Sequence, residues 1–319
     1  MKTVFLDLAS LKPDDLDLVP LQQSAAPLVL YPSTSLEQRD AHLAGAEVVI
    51  VNKVILDAEV LARQPQLKLI CVAATGTNNI DLTAANQLGI TVCNCQGYGS
   101  ASVIQHTLAL MLALATRLPD YSAAVTQGDW QRSSDFCLLD YPIMELQGKT
   151  LGIVGYGELG RGVANVAKAL GMRVLIAARV GGEVVTGRIA LTELLPQVDV
   201  LSLHCPLTEQ SRNLIDASAL ALMKPSALLL NVARGGIVDE QALAKALCGG
   251  QLAGAAVDVL SVEPPVEGNP LLALDVPNLI VTPHCAWGSV EARQRILVQL
   301  IENIAGFKNG TPLRLVGSY

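Results

Sequence analysis

The chain has 319 residues, 51% hydrophobic and 16% charged, enough for two domains with sizeable cores and too apolar for disorder. A net charge of −7 with no basic stripe argues against nucleic acid or an anionic membrane surface as a partner. The opening M-K-T-V-F-L-D reaches Asp7 without a signal-peptide apolar region, and the most apolar run, Thr107 to Ala115, is too short to span a bilayer, so a soluble, cytoplasmic protein is expected.

Five short apolar runs come first: Val4 to Leu6, Leu28 to Tyr31, Val48 to Val51, Leu67 to Ala73 and Ile90 to Cys93. Helix-like or polar stretches such as Leu36 to Leu43 and Asp57 to Arg63 separate them, which predicts a parallel sheet covered on both faces. This block ends near Gly97-Tyr98-Gly99-Ser100. A long apolar helix is predicted from Ala101 to Arg117, with Pro119 beyond its end. The stretch Tyr121 to Pro142, with Trp130, Phe136 and Tyr141, interrupts the β-α rhythm and reads as an arm or lid.

Leu151 to Val154 predicts a buried strand, followed by Gly155-Tyr156-Gly157-Glu158-Leu159-Gly160, a G-x-G-x-x-G motif. Leu159, Val163, Ala167 and Leu170 then fall on one helical face and Gly171 stops the helix; Arg173 to Ala177 predicts a second strand. With 26 glycines in the chain, roughly 0.2 chance matches to the motif are expected, so it is weak alone. The strand before it, the helix after it and the next strand make it a dinucleotide-binding β-α-β unit. Gly155 permits the turn, Gly157 admits a pyrophosphate to the backbone, and Gly160 lets the helix pack on the strand. Four more strand candidates follow: Val198 to Leu203, Ala227 to Val232, Gly254 to Val259 and Leu279 to Thr282. The six together match the number in a complete doubly wound dinucleotide domain. Val290 to Phe307 predicts an amphipathic helix that packs back onto the first block.

The expected fold is therefore α/β, with two doubly wound parallel-sheet domains and an active site in the cleft between them. Residues 1–98 plus 290–319 form a flavodoxin-like substrate domain; residues 99–289 form an inserted Rossmann domain carrying the arm, 121–142. The seven scattered cysteines read as reduced thiols. Cys93 and Cys95 form C-x-C without a nearby His or second Cys pair, and no metal site is read.

About 20 residues past the glycines an NAD enzyme presents Asp or Glu to the ribose hydroxyls. Ala178 stands there, and Arg179 follows. Ala178 neither binds a ribose diol nor repels a 2′-phosphate, and Arg179 can pair with one, so NADP(H) is the expected cofactor, with NAD(H) possible.

Three segments place polar residues where apolar strands end: Asn231-Val232-Ala233-Arg234-Gly235-Gly236, Asp258 to Pro265, and Thr282-Pro283-His284. Each residue alone has a bland reading as a loop charge, a turn residue or a satisfied histidine. Together they suit reduction of a 2-keto acid. His284 gives the proton, Glu263 fixes its tautomer, and Arg234 clamps the substrate carboxylate while polarising the keto group.

At these motifs the chain resembles the D-isomer-specific 2-hydroxyacid dehydrogenase family over nearly its whole length. The matching segments are G-Y-G-E-L-G, H-C-P-L-T at His204 to Thr208, N-V-A-R-G-G, D-V-L-S-V-E-P-P and T-P-H. The resemblance implies Arg234, Glu263 and His284 as catalytic residues, Asp258 near the nicotinamide amide and Thr208 beside the cofactor. By the same likeness His204, Cys205, Pro206, Val232, Ala233, Arg234 and His284 join the cofactor site. Ala74 to Asp81 matches the family's substrate loop, whose N–H groups around Thr75, Gly76 and Thr77 hold the substrate carboxylate, and Val51-Asn52-Lys53 matches a second loop that brings Asn52 and Lys53 to the substrate. Ile104-Gln105-His106 departs from the family's more usual Glu before the His; that helix is expected to be mainly structural.

Within the family, V-F-L-D, V-N-K, A-T-G-T-N-N-I-D and D-Y-P-I look most like the glycerate dehydrogenase (hydroxypyruvate reductase) branch. Lys53 is the only basic residue in the two substrate loops, which favours small unphosphorylated acids such as hydroxypyruvate and glyoxylate. The resemblance also implies a homodimer with 121–142 as the exchanged arm, Trp130 or another arm residue reaching toward the partner's substrate site. The same fold resembles dinucleotide-sensing corepressors, the alternative from a different class.

Overall fold

A computed structural model describes residues 1–317; the last two residues of the expected 290–319 segment lie outside the described residues. The chain divides into two compact units, Met1–Ala101 with the chain from Trp287 onward, and Ser102–Ala286.

The first unit is built on five parallel strands, β1 (Thr3–Phe5), β2 (Leu28–Leu30), β3 (Val48–Val51), β4 (Leu69–Val72) and β5 (Thr91–Cys93), in the order β2-β1-β3-β4-β5. Successive side chains face opposite ways, and both faces are apolar. Val4, Val49, Val51, Ile70, Val72 and Val92 feed one core, while Phe5, Val48, Ile50, Leu69, Cys71 and Cys93 feed the other. The helix Val290–Lys308 seals the second core with Ile296, Leu297, Leu300 and Ile304, so the C-terminal segment packs as the sequence suggests. Cys71, Cys93 and Cys95 are free thiols inside that core. Burial raises all three, Cys93 to about 11 and Cys95 to about 12, and keeps them protonated and inert. Short helices are started by aspartates: Asp57 accepts from Val60 N–H at 3.0 Å and Asp81 from Ala84 N–H at 2.9 Å.

The second unit holds six parallel strands, β6 (Thr150–Val154), β7 (Arg173–Ile176), β8 (Val200–Leu203), β9 (Leu228–Asn231), β10 (Gly254–Val257) and β11 (Leu279–Val281). Their order is β11-β10-β9-β8-β6-β7. A complete dinucleotide domain of six strands places two strands beyond the first on one side; here only β7 lies there. The chain after β7, Val180 to Gly187, is too short for another helix and strand, and Gly181 and Gly187 have positive φ. It returns only as a single bridge between Ala177 and Ile189.

The helix after the glycine loop, Glu158–Ala169, is also turned relative to the expected face. Its buried residues are Gly160, Val163, Ala164 and Ala167, whereas Leu170 is 38% exposed. Small residues win the buried stripe because the helix comes so close to its strand. A Cβ on Gly160 would stand 2.2 Å from the Gly155 carbonyl oxygen. The helix Ser100–Thr116 contributes Leu110, Met111, Leu114 and Ala115 to the same core. Among the described residues no single helix is long and apolar enough to cross a membrane.

The arm region forms helices Leu118–Thr126 and Asp129–Arg132 and then runs without regular structure to Met144. Tyr121 donates its hydroxyl to the Tyr141 carbonyl at 2.7 Å, and Trp130 Nε1 donates to the Phe136 carbonyl at 3.0 Å. Phe136 is nevertheless 90% exposed and Leu139 76%.

Candidate active site

The glycine loop sits where strand order reverses, between β6 and β8. Crossovers leave in opposite directions there, and the strand ends open a crevice suited to a ligand. Gly155 has φ +91°, and a Cβ on it would lie 2.5 Å from both Cys205 N and His204 C, so the loop presses directly on the loop after β8. Over Gly157 nothing stands within 4 Å of a Cβ position. Gly157 is the N-cap of Glu158–Ala169 and provides no side-chain acceptor for the helix's first N–H groups. An open approach, uncapped N–H groups and the helix dipole together suit a pyrophosphate. At the end of β7 a cavity of about 380 Å³ is lined by Ala177, Ala178, Arg179, Val180, Gln210 and Leu214, among others. The open glycine turn and this cavity have the chemistry to hold a dinucleotide.

The loop after β8 carries His204, Cys205, Pro206 and Thr208. Burial pushes the His204 imidazole down to about 4, so it is neutral near pH 7; its Nε2 lies 2.8 Å from Ser202 Oγ and its buried Nδ1 has no partner. Burial also raises the Cys205 thiol. Thr208 is held by Ser211, whose Oγ accepts from Thr208 N–H at 2.7 Å.

Three later loops carry the polar triad. After β9, Asn231 Oδ1 accepts from Ala233 N–H at 3.1 Å and its amide donates to the Arg234 carbonyl at 3.0 Å, which shapes the turn through Val232. Arg234 Nη1 donates to the Ala233 carbonyl at 2.7 Å. Gly235 then abuts the loop after β10: a Cβ there would lie 1.9 Å from the Leu260 carbonyl oxygen. Leu260 N–H in turn donates to Glu263 Oε1 at 2.8 Å, and Glu263 Oε2 lies 2.6 Å from His284 Nδ1. Glu263 and His284 are each 35% exposed, half in solvent rather than sealed. With Nδ1 committed to the carboxylate, Nε2 is the imidazole atom available to a ligand.

His284 has φ +52°, a left-handed conformation costly for a residue with a Cβ. Asp258 pins it. Its carbonyl accepts from His284 N–H at 2.8 Å, and its carboxylate accepts from Cys285 N–H and Ala286 N–H, both at 2.9 Å, and from Thr282 Oγ1 at 2.6 Å. Asp258 is 1% exposed. Its oxygens thus gather the loop that bears His284, a task that the nicotinamide-amide expectation does not include. His106, expected to be structural, lies 3.1 Å from Thr282 Oγ1 and extends the same network. His106, Asp258 and Cys285 place ligand-type atoms within 4.8 Å of one another. The Asp258 oxygens there already face N–H and O–H donors, which occupy the directions a cation would take.

In the first unit, the two loops assigned to substrate differ. The N–H groups of Asn52, Lys53 and Val54 all donate to the buried Asp7 carboxylate, at 2.8, 2.6 and 3.2 Å, and the Asn52 amide donates to Ser10 Oγ. That ring of N–H groups already holds an anion, the protein's own. In the other loop, Thr75 Oγ1 donates to the Cys95 carbonyl at 2.9 Å and Asn94 donates to the Thr75 carbonyl at 2.8 Å. The N–H groups of Gly76 and Thr77 make no hydrogen bond among the described residues. Asp7 was not singled out as a site residue, although it ends the V-F-L-D opening.

A glycine cradle at a switch point and a Glu-His pair at later strand ends belong together in one unit. The model of the D-isomer specific 2-hydroxyacid dehydrogenase NAD binding domain matches residues 108–286, which spans that unit. The chain belongs to the D-isomer-specific 2-hydroxyacid dehydrogenase family. It is 47% identical over 274 residues to a glycerate dehydrogenase of Methylorubrum extorquens, covering 86% of each chain. It is 36% identical over 323 residues to a hydroxypyruvate reductase of Blautia hydrogenotrophica, covering 99% of each. Among solved structures, an NADPH-dependent glyoxylate/hydroxypyruvate reductase from Sinorhizobium meliloti, in complex with NADP and malonate, superposes with a TM-score of 0.79 at 26% identity, covering 99% of this chain and 96% of that one. This 2-hydroxyacid dehydrogenase therefore carries a domain of the nicotinamide-dinucleotide-binding kind, as its glycine loop indicates.

Proposed function

We propose that this dehydrogenase reduces a small unphosphorylated 2-keto acid, hydroxypyruvate or glyoxylate, to the D-glycerate or glycolate product with NADPH. The observation that carries the reading is the 2.6 Å pair between Glu263 and His284 at the strand ends of the unit that bears the glycine cradle. A reduced nicotinamide held by the cradle would supply the hydride. His284 Nε2 delivers the proton to the carbonyl oxygen, while Glu263 holds Nδ1 protonated and stabilises the imidazolium. Arg234, fixed by the Asn231 turn, polarises the keto group and pairs with the carboxylate. The N–H groups of Gly76 and Thr77, in the first unit, suit a carboxylate as an anion nest. Lys53 is the cation of the neighbouring loop, which Asp7 shapes.

NADPH is favoured over NADH because Ala178 and Arg179 line the cavity at the end of β7 where an NAD enzyme would place a carboxylate. Residues 121–142 serve as the arm of a homodimer, which would cover Phe136 and Leu139. Light scattering on a variant lacking the arm tests this: a monomer supports the role and an unchanged dimer refutes it. The reaction is tested by following nicotinamide oxidation with a panel of 2-keto acids and both cofactors. Turnover of the two small acids with a clear NADPH preference supports the reading. NADH preference overturns the cofactor assignment, and no turnover with any acid favours a dinucleotide-sensing protein instead.

A further inference from the structure

Arg188 is held at the end of β7, beside the cavity that Arg179 lines. Its Nη1 donates to the carbonyl of Ala177 at 3.2 Å, and its guanidinium carbon lies 5.3 Å from the ring centroid of Tyr156, the residue between the first two glycines of the cradle. The neighbouring bridge between Ala177 and Ile189 fixes where this arginine starts, through Ala178 N–H donating to the Ile189 carbonyl at 2.7 Å. Arg188 thus ties the end of β7, at Ala177, to the glycine loop, at Tyr156.

The guanidinium has five N–H donors; one goes to the Ala177 carbonyl, and its position over the Tyr156 ring spends none of the others. Among the described residues neither Arg188 nor Arg179 forms a salt bridge, and Glu183, the one carboxylate of the 180–187 loop, pairs with neither. In a chain of net charge −7, two cations without counter-carboxylates, Arg179 lining the cavity and Arg188 bonded to the lining residue Ala177, are suited to an external anion. Arg179 is exposed and free to swing, whereas Arg188 is half-buried and held at two points. A held guanidinium loses less freedom on binding and can present a fork to phosphate oxygens.

We propose that Arg188, braced on Tyr156, is the principal specificity determinant for the 2′-phosphate of the dinucleotide, with Arg179 as its mobile second. The inference rests on the NADPH reading and adds to it the residue that decides it. The test is calorimetric binding of 2′,5′-ADP and 5′-AMP to the full-length protein, with no turnover involved. Wild type should bind 2′,5′-ADP more tightly. Arg188→Ala should weaken 2′,5′-ADP by about 10- to 100-fold, the range of a charge-assisted hydrogen bond, while 5′-AMP, which lacks the 2′-phosphate, changes by less than about threefold and reports an intact pocket. Arg188→Lys, which keeps the charge without the fork, should fall between. If Arg188→Ala leaves the ratio of the two affinities unchanged while Arg179→Ala abolishes it, the assignment to Arg188 is overturned and the NADPH reading survives. If wild type itself shows no preference for 2′,5′-ADP, both fall.

Discussion

Gly235→Ala is the sharpest probe of how the catalytic loops are held together. The added Cβ would meet the Leu260 carbonyl oxygen at 1.9 Å, its carbon at 2.1 Å and Ser261 N at 2.6 Å, all backbone atoms with no rotamer to escape into. Moving that oxygen from 1.9 Å to the 3.4 Å where ordinary contact begins requires the loops after β9 and β10 to part by about 1.5 Å. Gly235 has no positive φ, so the clash is the whole perturbation. Leu260 N–H orients Glu263, and Glu263 orients His284, so the movement separates Arg234 from the Glu-His pair. A misplacement of about 1 Å costs on the order of 100-fold in rate. We expect kcat/KM with the preferred keto acid to fall by at least about 100-fold, about 2.7 kcal/mol of transition-state stabilisation. The glycine cradle is on other strands, while Val232, Ala233 and Arg234 are expected beside the cofactor, so dinucleotide affinity, read by quenching of protein fluorescence, should fall by far less than kcat/KM does. Circular dichroism confirms that the variant is folded. A kcat/KM within about fivefold of wild type would refute the coupling of these loops through Gly235.

His284→Ala should cut turnover by about 100-fold or more with dinucleotide binding preserved; near-normal turnover would remove His284 from the proton-transfer role. Asp7→Asn leaves at least one of the N–H groups of residues 52–54 facing an amide NH₂ in place of an acceptor oxygen, an unsatisfied buried donor that costs about 1–3 kcal/mol. Thermal melting should show the loss and KM for the keto acid should rise with kcat little changed; a variant with wild-type melting and KM would mean that the clamp carries no weight. His204 sets an acid limit on stability. Its folded value, about 4, is below its ordinary 6.5, so between these pH values the unfolded chain takes up a proton that the folded chain refuses. Stability therefore falls as pH drops through that window, by up to about 1.4 kcal/mol per pH unit. His204→Gln should flatten this branch in melts at neutral pH and midway through the window, and an unaltered slope would assign the acid loss to other groups.

Much of the site was legible in the chain because its signals are local. The glycine spacing between two apolar runs announces a dinucleotide loop, and Arg234, Glu263 and His284 follow strand-forming runs within a few residues. The helical face after the loop was misread because apolar size suggested Leu159 and Leu170. The burial of Gly160 and Ala164 instead depends on how closely the helix approaches Gly155, a distance that sequence does not carry. Counting strands could not give their order either, since that depends on the return path of the short glycine-bearing loop after β7.

By itself, the sequence determined the parallel α/β class, the cradle and the candidate reacting groups, because periodicity, turn glycines and residue chemistry all act within a few residues. Tertiary structure alone decided which groups hold which. Asp7 reaches 45 to 47 residues along the chain to fill the 52–54 loop, Asp258 gathers the His284 turn from 24 to 28 residues away, and Arg188 finds Tyr156 across the β7 end. These are contacts between loops of neighbouring strands, and only the sheet order makes the strands neighbours.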